Sequence, residues 1–134
     1  MHALLFTDGG SRGNPGPAGS GAVLFDENKE VIDEAMLYLG TETNNVAEYT
    51  AIIIGLELAL AHGVTTLDSY MDSELAVKQL NGQYRVKNPG LAKLWIQVRE
   101  LASKFERVRF THVRREQNTH ADALVNKVLD QHTR

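Results

Sequence analysis

The chain has no cysteine among its 134 residues, which excludes disulfide scaffolds, thiol catalysis and Cys-ligated zinc. It also lacks a long apolar run. Its most hydrophobic stretch, Ala51-Ile52-Ile53-Ile54-Gly55-Leu56, is broken at Glu57, far short of the roughly 20 residues a membrane span needs. The amino terminus reaches Asp8 too soon to read as a signal peptide. No internal repeat, low-complexity tract or long linker divides the chain. What is present is globular: 43% hydrophobic and 23% charged residues, enough to bury a core unaided. These features predict one soluble, cytoplasmic, monomeric domain over residues 1–134, with no membrane partner.

Positive charge is scarce in the first half. Residues 1–77 hold 12 Asp and Glu but only Arg12 and Lys29, whereas residues 78–115 hold 10 Lys and Arg against Glu100 and Glu106. The net charge of −3 therefore hides an acidic half beside a basic one. That asymmetry suits a polyanion clamp next to a separate carboxylate-rich centre, and equally suits a basic helix and strand that are merely solvated.

The apolar spacing gives a map of elements. His2 to Asp8 reads as a buried strand, and Gly9 to Gly19 as a turn-rich segment that cannot be helix. Strands are predicted at roughly 20–26 and 30–39, joined by Asp26-Glu27-Asn28-Lys29. Helical spacing follows over 45–61, with Ala47, Ala51, Ile52, Leu56, Ala59 and Leu60 on one face and His62-Gly63 as the stop. Val64–Met71 reads as a strand, 73–80 as a short helix and 90–103 as a helix burying Leu91, Leu94, Trp95, Val98 and Leu101. Arg107–Val113 is a fifth strand and 119–131 a last helix. The order β-β-β-α-β-α-α-β-α predicts an α/β fold, a mixed sheet with helices on both faces.

Four acids fall where this map gathers chain ends. Asp8 ends the first strand and Asp72 follows the fourth; Glu48 and Asp122 sit in the first turns of the first and last long helices. Such places host ligand sites in α/β sheets. Four hard oxygen donors without Cys or paired His suit Mg²⁺ or Mn²⁺, and two such ions would offset the repulsion between the acids. Each acid also has a plain structural role available. Asn45-x-x-Glu48 and Thr119-x-x-Asp122 fit capping boxes, Asp72 fits a helix cap, and Asp8-Gly9 fits a turn. Glu57, nine residues beyond Glu48, falls on the opposite helix face and reads as a surface acid.

The chain resembles the ribonuclease HI family in four blocks. They are Thr7-Asp8-Gly9-Gly10-Ser11-Arg12-Gly13-Asn14-Pro15-Gly16, Thr43-Asn44-Asn45-Val46-Ala47-Glu48-Tyr49, Met71-Asp72-Ser73, and Arg115-Glu116-Gln117-Asn118-Thr119-His120-Ala121-Asp122. They occur in family order and cover the chain from Phe6 to Asn126. The resemblance implies a ribonuclease H-like, five-stranded mixed sheet, three strands antiparallel and then two parallel. It implies that Asp8, Glu48, Asp72 and Asp122 bind two Mg²⁺ (or Mn²⁺) ions, with Asp8 bridging them. It implies hydrolysis of the RNA strand of an RNA–DNA hybrid, leaving 5′-phosphate and 3′-hydroxyl; the alternative is a non-catalytic hybrid-binding module, which would be expected to lose at least one of the four acids.

Ser11, Asn14, Asn44 and Asn45 match the family's groove-contacting segments, and Thr43, Asn14 and Asn88 match positions that hold a DNA-strand phosphate. Phosphate binding is expected from Arg12, Lys78, Arg85, Lys87, Lys93 and Arg114. Two departures stand out: Glu74 replaces a family Gln, and only ten residues, Asn81 to Gly90, replace the basic handle of longer members. The resemblance is therefore to the short branch. For the auxiliary catalytic position two residues compete. His112 lies ten residues before Asp122, but the Val108–Phe110 alternation predicts that it faces inward as a packed side chain. Arg115, seven residues before Asp122, matches the short branch and lies past the strand.

Overall fold

A computed structural model describes residues 1–133. Five strands, β1 (His2–Ser11), β2 (Gly16–Phe25), β3 (Val31–Glu42), β4 (Thr66–Met71) and β5 (Arg107–His112), form one sheet in the order β3-β2-β1-β4-β5. β1 pairs antiparallel with β2 and parallel with β4, and β4 runs parallel to β5. The helices are α1 (Asn44–Ala61), α2 (Glu74–Leu80), α3 (Pro89–Ala102) and α4 (Thr119–His132), with a single 3₁₀ turn at Arg115–Gln117. The fold is the mixed sheet that the sequence predicted.

The helices divide between the two faces. α1 packs across β1, β2 and β3, with α3 stacked against α1; α4 covers β1, β2 and β3 from the opposite side. The main core lies on the α1 side, where Leu5, Leu24, Ile52, Leu56, Leu67 and Val98 are all but inaccessible. A smaller cluster, Val23, Ala121 and Leu124, seals α4 to the sheet.

The first hairpin is longer than predicted. Gly9, Gly10 and Ser11 belong to β1, and Gly16 to Gly19 to β2, in the register Gly9↔Ser20, Gly10↔Gly19 and Ser11↔Ala18. Gly9 and Gly19 answer to close packing rather than to a turn. A Cβ on Gly9 would lie 2.2 Å from the Ala47 backbone of α1, and one on Gly19 would lie 2.7 Å from Val128 of α4. The real turn is Arg12–Pro15, where Gly13 takes φ +86°, a conformation that glycine adopts at little cost. β3 likewise extends to Glu42, past the predicted end at 39, and β4 starts two residues later than predicted.

Helix starts also settle the role of three acids. Thr43 caps α1 by accepting the Val46 N–H at 3.3 Å. Glu48 is therefore the fifth residue of the helix, not a first-turn acid, and no Asn45–Glu48 capping box forms. Ser73, not Asp72, caps α2 by accepting the Ala76 N–H at 3.2 Å. Asn118 precedes α4 without a side-chain cap, so Thr119 and Asp122 form no box either. The acids are not spent on capping.

His112 corrects an expectation. It is exposed, not packed inward, because β5 is an edge strand with helix cover only against Val108 and Phe110. Glu57 is exposed, as predicted.

The close approach at Gly9 gives a direct test. Gly9→Ala must push α1 off β1 and should cost about 1–3 kcal/mol in urea unfolding, the usual range for overpacking. Gly10→Ala, whose Cβ would meet only Asn44 Oδ1 at 3.8 Å, should be far milder. Equal losses would show that crowding is not the reason for the glycine at position 9.

Candidate active site

The register Thr7↔Met71 between the parallel strands β1 and β4 brings the next residues side by side: Asp72 just past the end of β4 and Asp8, which does not end its strand as expected, since β1 runs on to Ser11. Because side chains alternate along a strand, Asp8 points away from Leu5 and Thr7, which pack on Gly55 of α1. It points towards α4 and Asp122. Glu48 enters from the other layer, carried over the sheet end by α1 where that helix rests on Gly9. Four elements thus deliver four acids to one open cavity of about 300 Å³, which Ser11, Arg12, Asn44 and Arg115 also line.

Crowding like charges in a partly buried site shifts their protonation. Asp8 is pushed up to about 8, first by burial, then by Asp72, by a hydrogen bond shared with Asp122, and by the charges of Asp122 and Glu48. Glu48 is pushed up to about 7 by burial and by Asp72, against the opposing hydrogen bond from Ser73. The donor set fits a hard divalent cation: oxygen ligands only, with excess negative charge held back from ionising. No three His, Asp or Glu side chains among the described residues form a finished ligand set. The fit is therefore one of donor type and charge, and the carboxylates would draw together around an ion.

One residue that sequence reasoning passed over holds this arrangement. Asn118 is 1% exposed, and its side-chain amide donates to the Thr7 carbonyl at 2.8 Å. That bond pins the chain between Arg115 and Asp122 to the residue just before Asp8. Its position inside the fourth block was the available signal. The Asn118 Oδ1 and Thr7 Oγ1 atoms are buried without partners.

The polar residues beside the acids fall into two groups. The Ser11 N–H donates to Asn44 Oδ1 at 2.8 Å, and the Asn44 N–H donates to Asn14 Oδ1 at 3.2 Å, tying the end of β1, the hairpin turn and the start of α1. Asn14, Thr43, Asn45 and Asn88 line a separate cavity of about 360 Å³; Asn88 also caps α3, accepting the Leu91 N–H at 3.1 Å. Two cations expected to meet phosphates are already engaged. Arg12 pairs with Asp130 at 2.6 Å and Lys78 with Glu74 at 2.8 Å. Arg115 lines the carboxylate cavity and His112 does not.

The raised carboxyls set a pH dependence in chelator. Asp8 is raised from 3.8 to about 8, so the stability it contributes is complete below its unfolded value and lost as pH rises through about 8. Asp8→Asn should therefore change Tm little near pH 4, and should raise it relative to the parent by a growing margin towards pH 9. A margin that stays constant across a calorimetric pH series would contradict the burial and repulsion described.

Comparison with known proteins agrees with this geometry. Residues 6–128 match the family described as Reverse transcriptase-like. A bifunctional protein of Mycobacterium tuberculosis is 46% identical over 131 residues, which are 97% of this chain and 36% of that protein; the chain thus spans about a third of such relatives. The crystal structure of RNase H1 from Halobacterium salinarum superposes with a TM-score of 0.95 at 40% identity, covering 98% of this chain and 99% of that one. LC11-RNase H1, solved in complex with an RNA/DNA hybrid, gives 0.92 at 40% identity over 96% and 97%. With the family's extent matched along almost the whole sheet and its helices, the chain belongs to the ribonuclease H family.

Proposed function

We propose that the chain is an endonuclease that hydrolyses the RNA strand of RNA–DNA hybrids, leaving 5′-phosphate and 3′-hydroxyl. The observation that carries this reading is the convergence of Asp8, Glu48, Asp72 and Asp122, from four elements, on one cavity where none of them serves a cap. These four would hold two Mg²⁺ ions, or Mn²⁺, which when bound supply the Lewis acidity that activates water and stabilises the leaving 3′ oxygen.

The other residues bind and orient. Ser11, Asn14, Asn44 and Asn45 offer donors and acceptors beside the acids, the combination that distinguishes a 2′-hydroxyl from its absence. Thr43, Asn14 and Asn88 would hold a phosphate of the DNA strand in their own cavity, away from the scissile bond. Arg115 would place its guanidinium against the scissile phosphate or the departing product. It cannot act as a base at neutral pH, so its contribution is electrostatic. Arg85, Lys87, Lys93 and Arg114 remain for the backbone phosphates, with Arg12 and Lys78 drawn off by Asp130 and Glu74.

A gel assay on labelled hybrid, RNA duplex, DNA duplex and a duplex with one embedded ribonucleotide, each with and without Mg²⁺, tests the reading. Hybrid cleavage should require the metal. Asp72→Asn should lower turnover by roughly 100-fold or more while the fold persists, with Glu57→Gln unchanged. Undiminished turnover in Asp72→Asn would sink the assignment.

The choice between Arg115 and His112 is tested separately. Arg115→Ala should lower kcat with Tm nearly unchanged, and its rate should show no titration near pH 6.5. His112→Ala should leave both kcat and Tm close to the parent, since the side chain is exposed and lies outside the carboxylate cavity. An inactive, folded His112→Ala beside an active Arg115→Ala would reverse the roles.

A further inference from the structure

β5 is an edge strand whose only ladder partner is β4. Its backbone orientation is fixed from both sides. The Arg107 and Val113 N–H groups donate to Thr65 and Met71 carbonyls at 3.4 and 2.9 Å, so the odd-numbered residues turn their peptide groups towards β4. On the outer side the Phe110 carbonyl accepts from Asn81 Nδ2 at 3.2 Å. Val108 and Phe110 therefore present N–H and C=O groups outward, and only the Phe110 carbonyl has a protein partner among the described residues.

This edge does not face open solvent alone. It forms one wall of a cavity of about 590 Å³ closed on the far side by α3 and the end of α2. The lining is mixed: Trp95 and Val108 are half-buried and give it an apolar spot beside the nearly covered Phe110, among polar groups of Asn81, Arg99 and Ser103. Arg99 and Arg107 stand on the rim with Glu106. Arg99 is held in place by donating to the Leu80 carbonyl at 3.1 Å and by lying 5.8 Å over the Trp95 ring. Neither arginine has a carboxylate partner among the described residues.

We propose that this cavity docks an extended acidic peptide segment of a partner protein, which adds to β5 as a sixth strand. The Val108 N–H, the Val108 carbonyl and the Phe110 N–H stay open, two donors and an acceptor in the alternation that a peptide backbone matches, while the Phe110 carbonyl is already held by Asn81. A nucleic-acid backbone brings phosphate acceptors and leaves the Val108 carbonyl without a donor. Side chains alternate in direction along the added strand. One set drops an apolar residue onto Trp95, Val108 and Phe110, while flanking acids meet Arg99 and Arg107. The wall from Arg107 to Phe110 is about 13 Å long at strand rise, room for about four residues. The cavity lies along the first four residues of β5, whereas the carboxylates gather around Asp8 within β1 and Asp72 just past the carboxyl end of β4. Peptide and hybrid can therefore be bound together.

The probe is the fluorescein-labelled peptide Asp-Val-Asp-Val-Asp-Phe-Asp, titrated into the ¹⁵N-labelled chain. The Val108 and Phe110 amide signals should shift and their hydrogen exchange should slow. N-methylation of alternate peptide nitrogens, which leaves the protein untouched, should weaken binding at least roughly tenfold. The double variant Arg99→Glu, Arg107→Glu should weaken it by a similar factor, with hybrid cleavage unchanged. The proposal is overturned if neither amide responds at about 1 mM peptide, a weak-binding threshold. It is also overturned if N-methylation or a Lys-for-Asp peptide makes no difference, or if a single-stranded DNA decamer shifts the same amides more strongly than the peptide does.

Discussion

The contact between α1 and β1 at Gly9 governs the geometry of the site. A helix packs on a sheet at a distance set by the side chains between them, and here there is none: the space a Cβ would need is filled by the Ala47 and Glu48 backbone. Glu48 is the next residue of the helix. The same absence of a side chain that lets the two backbones meet thus brings the Glu48 carboxylate over the end of the strand that carries Asp8. Gly55, one face further along α1, repeats the fit against Leu5 and Thr7, so the helix is seated on β1 at two points along its length.

The opposite face uses the same device with a polar lock added. Gly19 and Gly21 of β2 admit Val128, Leu124 and the Ala121 backbone of α4, and Asn118 ties the start of that helix to the Thr7 carbonyl. Thr7 therefore has α1 against its side chain and the approach to α4 bonded to its backbone. Asp8 follows immediately, which is why acids from two different layers meet beside it. Rigid packing on both sides holds them at a separation that their own repulsion would otherwise increase. Burial first and the neighbouring acids second push the carboxyls of Asp8 and Glu48 up.

The sequence disclosed the order of elements, the type of sheet and the four acids, because these depend on local periodicity and on motif blocks. It was less informative where tertiary contact overrides local chemistry. Gly9-Gly10 reads as a turn to any local rule, but Gly9 answers to a helix residue 38 positions away, Ala47. Ser73 and Thr43 take the capping roles that Asp72 and Asn45 could have filled by sequence, since differences of one or two residues in a helix start are invisible to periodicity. His112 was read inward from a strand alternation that holds only as far as α2 and α3 cover the strand. Asn118 lies inside a motif block but carries no local signal of its role, for its partner is a backbone carbonyl 111 residues distant.

The charge asymmetry along the chain takes on a different meaning once the pairs are known. The acids do not simply supply the site; some of them, in the first half and in the last helix, restrain the cations. Glu74 holds Lys78, which also lies 5.1 Å over the Tyr84 ring, and Asp130 holds Arg12 at the rim of the carboxylate cavity. These are exposed pairs, each worth little in stability, so their consequence is positional. The Asp130 pair holds the Arg12 guanidinium at the edge of the carboxylate cavity, where Coulomb attraction to the acids would be stronger than at the surface. Arg115, with no such partner among the described residues, is the cation left facing that cavity, and the short chain between β5 and α4, pinned by Asn118, limits how far it can travel.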